Sequence, residues 1–165
     1  MVAPSSDRDG MLYEYDGVTF HQITPYIPDI IINRKPDGSY AGDTIEDYNL
    51  LGGGFKNTFH GDGVSKEFIL TTTNIDTSPA VKVEVDNVEL ATNTYSVDYA
   101  KGKVTFNTAP LEGVNNVVIT AYKRDKSYEN KIYNCKYHVD FGGANNSRLM
   151  LAGGGDAKYY YSYPF

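Results

Sequence analysis

Tryptophan is absent from this chain of 165 residues, and cysteine occurs only once. Apolar runs are short and basic side chains few. The lone Cys135 excludes an internal disulfide framework and is compatible with a reducing compartment. No apolar run approaches the roughly 20 residues of a membrane-crossing helix. The start "MVAPSSDRDG" has no hydrophobic signal core, so the expectation is a soluble protein. Lys and Arg number 15 against 21 Asp and Glu, a net charge of −6. Phosphate neutralisation needs clustered cations, so nucleic acid is disfavoured as the main partner. Helical signals are also thin. The nearest is "DTIEDYNLL", where Thr44 and Asp47 weakly imitate a capping box and allow a single turn at most.

What the chain does have is tyrosine and glycine, 15 and 16 residues, with 7 prolines. Aromatic and β-branched side chains suit a pleated surface, and Gly with Pro marks turns. The expected class is all-β. Charge is uneven along the chain: residues 1–122 carry 8 basic and 17 acidic side chains, a balance of −9, whereas residues 123–165 carry 7 and 4, a balance of +3. Either these are the solvated faces of different strands or the basic end docks an acidic partner.

Three segments are expected. In residues 1–54, "MLYEY" and "VTFHQI" flank Asp16-Gly17, a strong hairpin dipeptide. The following "TPYIPDIIINRKPDGSYAGD" holds three prolines. These predict an extended path over a surface, pinned by Ile30, Ile31 and Ile32, rather than a central strand. In residues 55–124, "EFIL", "AVKVEVD", "VELA", "YSVDY", "KVTFN" and "NVVITAYK" read as strands. Val81, Val83 and Val85 alternate with Lys82, Glu84 and Asp86; Val104 with Phe106, and Val117 with Ile119 and Ala121, give further inward sets. Short strands with turns at Asp86-Asn87 and Lys101-Gly102 predict an antiparallel sandwich or small barrel, and residues 55–124 are expected to fold alone as a sandwich. Residues 125–165 read as a three-strand meander, "KIYNCKYHVDF", "SRLMLAG" and "AKYYYSYPF", pairing with the N-terminal strands.

Candidate chemistry is sparse. Asp7, Asp9 and Asp62 stand beside glycines as calcium ligands do, but neither loop continues with the remaining oxygens and closing Glu, so turn chemistry is the better reading. The triplets Gly52–Gly54 and Gly153–Gly155 lack the Lys-Ser/Thr or helix start of a phosphate cradle. His21, His60 and His138 have no paired spacing for zinc. Cys135 and His138, placed in one strand, would face opposite sides, leaving Cys135 a buried structural role. No serine elbow, Cys-His couple or distinctive carboxylate pair points to catalysis. Tyrosines serve cores, subunit interfaces or sugar platforms, with Tyr95 and Tyr99 as the candidate sugar-facing pair.

"FHGDGVSKEFIL", "VKVEVDNVEL" and "YSVDYAKGKVTFNTAPLEGVNNVVITAYK" resemble a small β module found in tailed-bacteriophage virion proteins. "LYEYDG", "PDIIINRKPDGS", "EDYNLL" and "NCKYHVDFGGANNSRLMLAGG" are similar to phage stabilization or tail-nozzle proteins. The resemblance covers roughly residues 11–155. It implies a small antiparallel β-sandwich inserted between flanking strands of a β-propeller-like blade, in a head–tail connector below the portal. It also implies a non-enzymatic virion component without cofactor or metal, assembled in the host bacterial cytoplasm. Its partners would be copies of itself and other connector or tail proteins, with DNA passing unbound. On this reading Gly61, Asp62 and Gly63 are the hinge into the inserted module, and Lys123 and Arg124 its exit. Tyr159, Tyr160, Tyr161 and Tyr163 are candidate interface aromatics. The alternative is a carbohydrate-binding or host-adhesion module of a phage tail or bacterial surface protein.

Overall fold

The computed structural model describes residues 2–4, 12–142 and 148–162. The chain forms two units, Tyr26–Arg124 and Met1–Pro25 together with Asp125–Phe165. Among the described residues it is mostly β, with one short α-helix, and no sheet closes on itself.

In the terminal unit, β1 (Val2–Pro4), β2 (Leu12–Tyr15) and β3 (Phe20–Gln22) form an antiparallel sheet in that order. Asp16 shapes the β2–β3 turn: its Oδ1 accepts the N–H groups of Val18 and Thr19 at 2.7 and 2.8 Å. With Nε2 of His21 3.1 Å from its other oxygen, these bonds, led by Thr19, hold the Asp16 carboxyl down at about 2.

The central unit begins with β4 (Asp29–Arg34), β5 (Asp43–Thr44), β6 (Gly54–Gly61) and β7 (Glu67–Ile69). It continues with β8 (Lys82–Val85), β9 (Val88–Glu89), β10 (Tyr95–Asp98), β11 (Lys103–Phe106) and β12 (Gly113–Tyr122). Six strands make a mixed sheet in the order β5-β4-β6-β12-β8-β9, in which only β4 and β6 run parallel. The remaining three make an antiparallel sheet, β10-β11-β7. One core joins the two sheets. Phe55, Phe59, Val83, Val117, Ile119 and Ala121 enter it from the larger sheet, and Phe68, Tyr95, Val104 and Phe106 from the smaller. Phe68 stands edge-on to Phe59 and Phe106, with ring centres 5.4 and 4.9 Å apart.

Several expectations are corrected by this arrangement. Residues 29–34 are not a surface path but an interior strand, because Pro25, Pro28 and Pro36 flank β4 and leave its own N–H groups free to pair. Ile30 and Ile31 accordingly lie in the core, and the central unit starts at Tyr26 rather than near residue 55. The parallel β4–β6 pair makes the larger sheet mixed, not antiparallel. The N-terminal strands do not pair with the C-terminal meander among the described residues; each group closes on sequence neighbours through short connections, at little entropic cost.

Another concerns helix. After the central unit come α1 (Lys126–Tyr133), β13 (Tyr137–Phe141), β14 (Arg148–Ala152) and β15 (Tyr159–Tyr161). "KIYNC" is therefore a helix end, not a strand. Asp125 caps α1, accepting from the Ser127 N–H at 2.8 Å, and Lys131 near its C-terminus lies over the Tyr128 ring. "DTIEDYNLL" forms no helix: Asp43 and Thr44 pair with Ile32 and Ile31 instead.

Candidate functional site

The central unit carries a recess of about 380 Å³ lined by Lys35, Pro36, Asp37, Ser39, His60, Asp62 and Ser65. Its carboxylates, Ser65 and Nδ1 of His60 are already committed to local structure. Asp62 accepts the Val64 and Ser65 N–H groups at 2.9 and 2.6 Å and the Ser65 hydroxyl at 2.6 Å. Those bonds, the Ser65 hydroxyl first, hold its carboxyl below the usual range. Asp37 is lowered in the same way by Ser39, whose N–H it accepts at 2.9 Å. Nδ1 of His60 accepts the Asn115 N–H at 3.0 Å, which puts the proton of the neutral ring on Nε2. A carboxylate held that low is a weak base, and Ser65 donates to it rather than being activated by it. The recess is built on a braced turn.

The proposed hinge is displaced by the same geometry. Gly61 ends β6, pairs with Gly113, and packs so closely that a Cβ on it would stand 2.3 Å from the Leu111 carbonyl oxygen. Gly63, at φ +73°, completes a turn inside the central unit. Lys123 lies at the opposite end of β12, where its N–H donates to Gly53 at 2.8 Å and its Nζ to the Thr73 carbonyl at 2.6 Å. The Arg124 N–H donates to Asp76 at 2.7 Å. Gly61–Gly63 and Lys123–Arg124 therefore do not meet as entry and exit; Gly53 is the neighbour of Lys123.

Other candidates separate similarly. His21, His60 and His138 lie on β3, β6 and β13. Among the described residues no three His, Cys, Asp or Glu side chains converge as metal ligands, and Asp7 and Asp9 lie outside the described residues. Cys135 follows α1 rather than sitting in a strand; it is buried, its Sγ is 3.3 Å from the Lys131 carbonyl, and burial raises its thiol. Tyr95 is no sugar platform: it is buried and its hydroxyl donates to the Val81 carbonyl at 2.9 Å. Tyr99 packs partly buried against the same core.

The β13–β14–β15 sheet differs from all of these. Tyr137 pairs with Ala152 and Ala152 with Tyr159; Val139 pairs with Met150 and Met150 with Tyr161; Phe141 pairs with Arg148. Directly paired residues share a face, so these eight make one surface. Five of them are open to solvent: Tyr137 at 70%, Val139 at 58%, Phe141 at 68%, Tyr159 at 66% and Tyr161 at 63%. The Arg148 guanidinium lies 5.5 Å from the Tyr161 ring centre, confirming that the two side chains are on the same side. Gly153, at φ +82°, leaves room for the Tyr137 ring, which a Cβ there would approach to 2.6 Å. Tyr160 faces the other way and donates to Asp156 at 2.5 Å, which pushes its own hydroxyl up to about 12. Of the four candidate interface tyrosines, Tyr159 and Tyr161 thus share the open face, Tyr160 does not, and Tyr163 lies outside the described residues. Tyr137, Val139 and Phe141 were missed, although "YHVDF" alternates with period two.

No family model, no curated protein and no solved structure matches this chain.

Proposed function

We propose that this chain is a structural, non-enzymatic component of a tailed-bacteriophage virion, working at the head–tail junction or tail nozzle through protein–protein contacts. The observation that carries the reading is the open aromatic face of β13, β14 and β15. Contiguous exposed apolar surface of this kind marks a docking surface, and Tyr, Phe, Met and Arg are the residues enriched in such surfaces. The phage-like motifs supply the virion context. The central unit reads as a small β-sandwich, and the terminal unit as strands of a propeller-like blade that complete their packing in the assembled particle. Assembly would take place in the host bacterial cytoplasm, beside other connector or tail proteins. Gold-labelled antibody against this chain, applied to purified virions, should mark the head–tail vertex or tail tip. Virions that lack the chain by mass spectrometry would overturn the proposal.

One observation favours a second reading. Tyr137, Tyr159 and Tyr161 expose their rings on one sheet face, as aromatic platforms for pyranose rings do. A carbohydrate-binding or host-adhesion role would show as glycan-array binding that disappears in Tyr159→Ala.

A further inference from the structure

We infer that the open face of β13, β14 and β15 is covered by the same face of a second copy of this chain, so that two three-stranded sheets stack into one shared core. The inference rests on the assembly reading of this face and names its occupant. A three-stranded sheet needs a packed apolar face to hold its shape, and one face of this sheet is left open.

The area is of the size a dimer requires. Aromatic side chains bring roughly 150–250 Å² each, so four rings and a valine at about two-thirds exposure present on the order of 600 Å². Met150, Ala152 and Arg148 add their partly buried remainder. A stable pair needs about 800 Å² from each partner. Packed sheets lie about 10 Å apart, a gap that Tyr, Phe and Met side chains from both sides fill.

Charge fits self-association as well. The face holds no carboxylate, and its single cation, Arg148, stands at one end of β14 beside Phe141. A two-fold axis that stacks the β14 strands antiparallel would place each Arg148 against the Tyr137–Tyr159 end of the other copy. The two guanidinium groups are then kept apart and each meets aromatic rings.

Sedimentation equilibrium on the full chain, from micromolar to submillimolar concentrations, tests this directly. A monomer–dimer equilibrium is expected. Val139→Lys and Tyr161→Lys, both in the middle row, should each weaken it by about tenfold or more, while Val64→Lys on the exposed turn of the central unit leaves it unchanged. Circular dichroism checks that each variant retains its fold. If the lysine variants unfold, Val139→Cys should yield a covalent dimer with a short bis-maleimide cross-linker that spans the gap of about 10 Å between packed sheets, since the native Cys135 is buried. A monomer at every concentration would overturn the inference. So would association that resists both lysines, or a monomer whose face binds a glycan through Tyr159. Dimers of a chain absent from virions would remove the virion reading and leave this one standing; a monomer present in virions would do the reverse.

Discussion

Asn33 and Asn115 hold one another across the central unit's larger sheet. The Asn33 N–H donates to Oδ1 of Asn115 and the Asn115 side-chain amide donates to Oδ1 of Asn33, both at 2.8 Å. Both residues have left-handed backbones, φ 56° and 51°. Asn115 lies where the β6–β12 register shifts between Gly113 and Val117, and Asn33 lies where the β4–β6 register shifts. The irregularities turn each side chain toward the other, tying β4 to β12 over the intervening β6.

Asn115→Gly and Asn115→Ala should separate the two contributions. Glycine accepts the left-handed backbone but deletes both side-chain bonds, leaving the Asn33 N–H unpaired, at a cost of about 1–2 kcal/mol. Alanine deletes the same bonds and adds strain at positive φ, for roughly 1 kcal/mol more. Urea denaturation should rank the proteins wild type, then Gly, then Ala; equal losses for the two variants would show that the backbone is not strained.

A second prediction concerns Asp29, whose Oδ1 is buried without a partner while its Oδ2 accepts from Thr58 at 2.6 Å. Burial raises its carboxyl above the ordinary value, with the nearby Glu46 adding to the effect. The folded state therefore prefers the protonated form. That preference stabilises fully below the unfolded value of about 4 and is lost as pH rises through the higher folded value. Asp29→Asn should raise stability at neutral pH by about 1 kcal/mol or less and flatten the decline from pH 4 upward. A variant with the wild-type pH profile would assign that decline to other groups.

Much of the central unit was legible as simple alternation. Val81 and Val83 flank Lys82, Val104 and Phe106 flank Thr105, and Val117, Ile119 and Ala121 alternate with Val118 and Thr120; all seven apolar residues of these sets are buried. β6 escaped because Lys56, Asn57, Thr58 and His60 break any apolar rhythm. Asn57 is nonetheless fully buried, its Oδ1 accepting from the Thr71 N–H and hydroxyl and its amide donating to the Lys56 carbonyl. Polarity satisfied by distant partners looks in a sequence like exposure. β4 was hidden by its flanking prolines, and α1 by an apolar stripe of only Tyr128, Ile132 and Cys135 behind the Asp125 cap. The open face was half legible: alternation sorts each strand's side chains, but only the cross-strand register shows that Tyr137, Tyr159 and Tyr161 share a side.

Tyr160 supplies a spectroscopic prediction. Its hydroxyl donates to Asp156, and ionisation would replace that bond with two facing anions, so it should titrate near pH 12. The stabilisation from this pair is present below the ordinary tyrosine value of about 10 and lost as pH rises through 12. In ultraviolet difference titration, Asp156→Asn should move one tyrosine back toward its ordinary range. If no tyrosine moves, the bond is not made in solution.

The boundary at Tyr26 makes the last prediction. A fragment of residues 55–124 would lack β4 and β5, although β6 depends on β4 for one of its two neighbours. It would also lose Ile30 and Ile31 from the core, worth about 1.5–3 kcal/mol each when fully buried, and Asn33, the partner of Asn115. Arg34 goes too; its buried guanidinium donates to the Ile69 carbonyl at 2.9 Å and the Ala41 carbonyl at 2.8 Å, bracing the loop from β4 to β5 against β7. These losses together rival the whole stability of a small domain, typically 5–15 kcal/mol. Residues 26–124 should therefore melt as one cooperative unit, while 55–124 should be unfolded or aggregate through the bared edge of β6. Cooperative melting of the shorter fragment at the same temperature as the longer would show that β4 is an accessory to the central unit rather than part of its core.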